Sequence, residues 1–266
     1  MTWFVDTALV AAVVGAVAAV PLPEVIARLP EPEPDPEEHA LVAAANEAEF
    51  ARPVDDPKEP YAELARVPGL RWGLVVACAL AAGALGGRVG WHWSLVYLLY
   101  LVPVCAALAV IDWRTRYLPK RLIVPSYAVV GVVVLVGAVA TQDVASLERA
   151  VVGWLSAYVF YLLLWFLIPR GMAYGDVRLA GLLGLALGWL GVQQLVLGLY
   201  TGFLLGGVLG VLLSALKVFH HRHSPFGPYM VLGAFLGAAF PGQLGEAYGW
   251  VVGGLSDGIG ALVNAF

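Results

Sequence analysis

Two aspartates stand where an ionisable group is costly to keep. Asp112 closes the apolar run Leu108-Ala109-Val110-Ile111, and Asp176 follows Gly171-Met172-Ala173-Tyr174-Gly175 and opens a further apolar stretch. A carboxyl at the edge of the hydrocarbon marks a functional site by default. Two carboxylates brought close share one proton, because both cannot ionise side by side. One member then deprotonates a water while the other protonates a carbonyl oxygen, which hydrolyses a peptide bond with no metal and no nucleophilic side chain. Taken singly, each aspartate also has a plain structural explanation. Asp176 is a favoured residue type for capping a helix start, and Asp112 has Arg114 and Arg116 close by as partners.

Other candidates are weaker. His220, His221 and His223 sit beside Lys217 and Arg222 with no further ligands near them in sequence, which reads as a solvated basic loop. Cys78 and Cys105 are the only cysteines and form no Cys-x-x-Cys pair, so a thiolate zinc site is not expected. No glycine-rich cofactor loop is present, and neither a metal nor a cofactor is called for.

The elements that must position the aspartates are membrane helices. The chain is 61% hydrophobic and 13% charged over 266 residues, with a mean hydropathy of +0.82. A soluble domain carries about a quarter charged residues, and water cannot solvate so much unbroken apolar surface. Crossing the hydrocarbon takes ~20 apolar residues, which predicts eight spans near 3–20, 71–87, 93–111, 121–141, 150–169, 177–191, 193–216 and 225–241. The fold expected is all-α and polytopic, with the first span retained rather than cleaved as a signal. The tail 243–266 reads as an interfacial segment or a ninth span. Glycines at 181, 184, 188 and 191 and at 198, 202, 206 and 210 recur at the spacing that lets helices approach closely in lipid.

Between the first two spans, residues 21–70 form an acidic loop holding twelve of the nineteen acidic residues. Its Pro-acidic run Glu31–Glu38 reads as extended, and His39 to Phe50 as a short helix. With the N-terminus outside, thirteen of the fifteen Lys and Arg residues fall on cytoplasmic segments and their flanks, leaving Arg88 and Arg149 opposite. That asymmetry predicts an N-out orientation. It puts Asp112 and Asp176 at one cytoplasmic boundary, on different helices, and Asp6, Asp143 and Asp257 on the other side. The net charge of -4 gives no sign of a nucleic-acid partner.

Asp112-Trp113-Arg114-Thr115-Arg116-Tyr117-Leu118-Pro119 resembles the first aspartate motif of the type IV prepilin peptidases, GxGD-type aspartic membrane proteases. Gly171-Met172-Ala173-Tyr174-Gly175-Asp176-Val177-Arg178-Leu179 is similar to their second, Gly-x-Gly-Asp followed by Val-Lys-Leu, and Pro225-Phe226-Gly227-Pro228-Tyr229 to the Pro-Phe-Gly-Pro at their last span. Val25-Ile26-Ala27-Arg28-Leu29-Pro30 is a fainter match to the end of the first span. The resemblance implies that Asp112 and Asp176 are the proteolytic pair, with Gly175 giving the backbone room at the site. It implies a peptidase domain over 71–242 and cleavage of basic leader peptides from prepilins or pseudopilins at the cytoplasmic face of the inner membrane. The rival is a non-catalytic membrane protein, a transporter or a pilus or secretion assembly component that kept the fold. A transporter would hold its charges near the midplane between broken helices.

Two departures from that pattern matter. The first glycine of the second motif is Ala173; a left-handed backbone there would cost alanine ~1 kcal/mol. Members that also N-methylate the new terminus carry two Cys-x-x-Cys pairs in the first loop. Residues 21–70 have no cysteine, so methyl transfer is without support in these residues.

Overall fold

A computed structural model describes residues 3–30, 60–167, 172–215 and 225–249. The Pro-acidic run, the expected helix from His39 to Phe50, the histidines His220, His221 and His223, and residues 250–266 of the tail lie outside them.

The described chain is helical throughout. Its elements are α1 (Val5–Ala19), α2 (Leu22–Ala27), α3 (Tyr61–Leu64), α4 (Leu70–Val89), α5 (Trp93–Thr115), α6 (Lys120–Thr141), α7 (Val144–Leu167), α8 (Tyr174–Leu190), α9 (Val192–Ala215) and α10 (Gly227–Ala239). A last helix, α11, runs over 241–249. Among the described residues, five stretches are long and apolar enough to cross a membrane: Val5–Ala27, Leu70–Val89, Trp93–Thr115, Lys120–Thr141 and Val144–Leu167. Val192–Gly207 and Gly227–Ala239 are shorter apolar helices. The protein is a multi-pass α-helical membrane protein.

The outer helices show their lipid faces plainly. Along α7, Val152, Leu155, Phe160, Leu163, Phe166 and Leu167 are exposed, while Ser146, Ala150, Gly153, Ala157, Tyr161 and Trp165 form a buried seam three to four residues apart. That spacing is one face of a helix. The seam packs on α8, which is the hub of the bundle: it touches α5, α6, α7, α9 and α10, and fourteen of its seventeen residues are buried. A helix apolar all round belongs inside.

Glycine sets the α7–α8 distance. A Cβ on Gly153 would stand 2.6 Å from the Gly184 carbonyl oxygen, and one on Gly188 would stand 2.5 Å from the Arg149 carbonyl oxygen. Backbones this close gain dispersion contacts that lipid cannot replace.

Both ends of the acidic segment are ordered against the bundle. Leu22, Ile26, Tyr61 and Leu64 of α2 and α3 bury themselves with Ala107 and Ile111 of α5, and Glu24 pairs with Arg71 at the start of α4. The small α2–α3 unit therefore braces the end of α5 that carries Asp112.

Candidate active site

α5 ends where its sequence stops favouring a helix. Arg116 adopts a left-handed conformation, with φ 52°, and its N–H closes on the Asp112 carbonyl at 2.8 Å. Pro119, which has no N–H to give, then starts α6. Asp112 thus lies in the last turn of α5, where a negative charge opposes the helix dipole.

The start of another helix offsets that. The Gly227 N–H at the beginning of α10 donates to Asp112 Oδ2 at 2.9 Å. A backbone donor at a helix start is a fixed partial positive charge. A Cβ on Gly227 would sit 2.8 Å from the same oxygen, so glycine is what lets the donor reach the carboxylate.

Asp176 is held by its own helix. It sits in the first turn of α8, and its Oδ2 accepts the Ala173 N–H at 2.9 Å while its N–H donates to the Ala173 carbonyl at 3.0 Å. Ala173 is extended, with φ -89° and ψ 153°. That conformation suits any residue, so alanine in place of glycine costs nothing there. The close neighbour of Gly175 is Leu118: a Cβ on Gly175 would meet Leu118 Cβ at 2.8 Å. Gly175 therefore presses the start of α8 onto the turn that follows Asp112.

Both carboxyl groups are withdrawn from solvent, Asp112 at 4% and Asp176 at 3% exposure. They occupy the same end of the bundle, linked through aromatic side chains. Tyr161 of α7 is within electrostatic reach of Asp176, and its ring lies 6.3 Å from that of Phe226, the residue before Gly227. Around the start of α8, the Tyr174 hydroxyl bonds that of Tyr158 at 2.8 Å. The Arg178 guanidinium lies 4.6 Å from the centre of the Tyr174 ring, and the Tyr127 hydroxyl donates to the Arg178 carbonyl at 2.6 Å.

Residues 98–215, which include both aspartates, match the type IV leader peptidase family. Over 175 residues the chain is 32% identical to the prepilin leader peptidase/N-methyltransferase of Stutzerimonas stutzeri, covering 64% of this chain and 59% of that protein. Its likeness to the protein of the same name from Pseudomonas aeruginosa is 32% over 186 residues, or 68% and 62% of the two chains. Residues 98–215 are thus similar to type IV leader peptidases.

The Dichelobacter nodosus relative bearing that name is 29% identical over 178 residues, 64% of this chain and 59% of its own. The chain thus spans about six-tenths of the length of these relatives. No solved structure matches the chain significantly. The matched region holds all of α6, α7, α8 and α9 with most of α5, so both aspartates and Gly175 fall within it. Gly227 lies beyond it. Sequence reasoning marked Pro225–Tyr229 as a motif but not its hydrogen bond to Asp112, and nothing in the spacing reveals that contact. The tyrosines around Asp176 were missed outright. Tyr158, Tyr161 and Trp165 do share one face of the span before it, which is the signal that was there to follow.

Proposed function

We propose that this chain is an aspartic endopeptidase that removes the leader peptide from type IV prepilin-like proteins. The observation that carries the reading is a pair of buried aspartates at one end of the bundle, each on a backbone N–H at a helix start. Asp112 and Asp176 act as one unit. One takes a proton from water and the other gives a proton to the scissile carbonyl oxygen. The fixed N–H donors hold both carboxyl groups in place before substrate arrives, which removes reorganisation from the chemical step. The chemistry needs no cofactor.

The bundle has eight spans, the N-terminus is outside, and the site faces the cytoplasm from the inner membrane. The Lys and Arg asymmetry supports that orientation. Substrates are prepilins or pseudopilins whose basic leaders precede a hydrophobic segment that stays in lipid. N-methylation is not part of the proposal, although the relatives' names include it, because residues 21–70 carry no cysteine.

Cleavage of a prepilin by the purified full chain tests the reading, with mass spectrometry of the product. Asp112→Asn and Asp176→Asn each reduce cleavage by ~100-fold or more while the protein stays inserted and folded. Full activity in either variant ends the assignment. The product terminus is expected unmethylated in the presence of S-adenosylmethionine. For orientation, a cysteine at position 116 reacts with an impermeant label only from the cytoplasmic side, and one at position 142 only from outside.

A further inference from the structure

The end of the bundle away from the aspartate pair holds a polar cavity of about 400 Å³. Six segments converge on it: Arg88 from the last turn of α4, His92 and Ser94 from the start of α5, Asp143, Ser146 and Arg149 from the α6–α7 corner, Trp189 from the end of α8, Gln194 from α9, and Ala238 from the end of α10. Its size is that of a small-ligand site, and a few convergent polar groups in such a cleft are what fix a ligand's orientation.

The charges in it are not used up internally. Asp143 is committed to the start of α7, accepting the Ser146 N–H at 3.0 Å and the Ser146 hydroxyl. One terminal nitrogen of Arg149 donates to the Ser146 hydroxyl oxygen at 2.6 Å. The Arg149 Nε is buried and donates to no atom among the described residues. A buried donor left so is destabilising, more so for a charged group, and a ligand oxygen that accepts from it would relieve that cost. Two guanidinium groups against one carboxylate leave the lining at net +1 with His92 neutral. Arg88 and Arg149 are also the two of fifteen basic residues that the charge asymmetry assigns to this face, and both line this one cavity.

Depth points to the ligand. Trp91 and Trp93 flank His92 at the start of α5 and are 68% and 40% exposed, and Trp189 lines the cavity itself. Tryptophan collects at the level of the lipid headgroups. Val192 and Val196, flanking Gln194 in sequence, are exposed apolar residues. A guanidinium binds phosphate in a planar, bidentate way that a point charge cannot match.

We propose that this cavity binds a phosphate group through Arg88 and Arg149, as the headgroup of an anionic phospholipid or as free phosphate. The site is separate from the aspartate pair and does not depend on the proteolytic reading. The test uses the full chain purified in detergent, titrated with dihexanoyl-phosphatidylglycerol or with inorganic phosphate and followed by thermal unfolding. Phosphatidylglycerol raises Tm in a saturable way, and Arg88→Gln and Arg149→Gln each weaken the apparent affinity ~10-fold or more. Arg114→Gln, at the other end, leaves it unchanged. An equal, arginine-dependent response to inorganic phosphate assigns the site to the free ion. Saturation by neither ligand, or saturation that survives both substitutions, overturns the proposal. Arg149→Gln disturbs the Ser146 contact and can lower Tm by itself; Arg88→Gln carries the test alone in that event.

Discussion

The two ends of this bundle both hold aspartates at helix termini, yet treat them differently. At one end Asp112 and Asp176 are 4% and 3% exposed. Asp112 is tied to a backbone N–H 115 residues away in sequence. At the other, Asp143 binds Ser146 three residues on, and the exposed Asp6 accepts from Trp91 Nε1 at 2.9 Å. Asp143 has a local explanation, a helix cap. Asp112 lies at a helix C-terminus, on the wrong side of the dipole, and a donor from another helix reaches it. An arrangement that costs stability and is assembled from distant segments is the kind kept for function.

The widest separation between the ends lies in activity. Asp143→Asn and Asp6→Asn leave prepilin cleavage within about threefold, while Asp112→Asn or Asp176→Asn remove ~100-fold or more, since members of one catalytic unit are not additive. Measuring all four in one assay decides whether the buried end alone does the chemistry. A comparable loss from Asp143→Asn erases the distinction.

Next in size is the donor itself. Gly227→Ala places a methyl 2.8 Å from Asp112 Oδ2. Glycine there has no positive φ to satisfy, so the substitution acts by displacing the carboxylate and not by straining the backbone. A misplacement of this order costs roughly 10- to 100-fold in kcat. Gly131→Ala, whose Cβ would meet nothing within 4 Å, is the control and leaves kcat unchanged.

Packing within the bundle gives a smaller effect that leaves both ends in place. A Cβ on Gly184 would meet Ala157 Cβ at 2.6 Å, while Gly131 is open. Gly184→Ala therefore destabilises by about 1–3 kcal/mol through overpacking. Gly131→Ala stabilises by about 0.5–1 kcal/mol, since alanine is the better helix former. Thermal unfolding in detergent reads both, and equal shifts in the two would mean that α7 and α8 are not in close contact.

Hydropathy made five of the eight expected spans legible among the described residues, because apolar length is dictated by the bilayer and needs no partner. It misjudged edges. The fifth span was expected from 150, yet α7 begins at Val144: Glu148 and Arg149 interrupt the apolar run, but the Asp143 cap starts the helix before them. The first apolar run, expected to end at 20, does stop as α1 at Ala19, and a separate apolar helix, α2, follows to Ala27 because Leu22 and Ile26 are buried against α3 and α5. Asp112 and Asp176 stand out in the sequence by their positions at span ends. Gly227 as a donor and the cavity around Arg88 and Arg149 do not. Both are made by residues from several helices, and helix-to-helix juxtaposition leaves no trace in the periodicity of any one of them.

The smallest effect concerns the locally explained end. The Ser146 hydroxyl and N–H hold the Asp143 carboxyl below its ordinary value of 3.8, with Arg149 and His92 adding to the same direction. A carboxyl depressed in the folded state contributes stability above its unfolded pKa and loses it as pH falls through the folded pKa. Asp143 thus supports the α7 start at neutral pH and releases it only below about pH 4. Asp143→Asn keeps a capping oxygen and removes the titration. Its Tm at pH 7 should drop slightly, and its Tm should fall less steeply than that of the unsubstituted protein between about pH 4 and pH 2. Parallel Tm profiles in that window would mean that the Asp143–Ser146 bond is no stronger in the folded protein than solvation in the unfolded chain. The contrast between the two ends would then rest on burial alone.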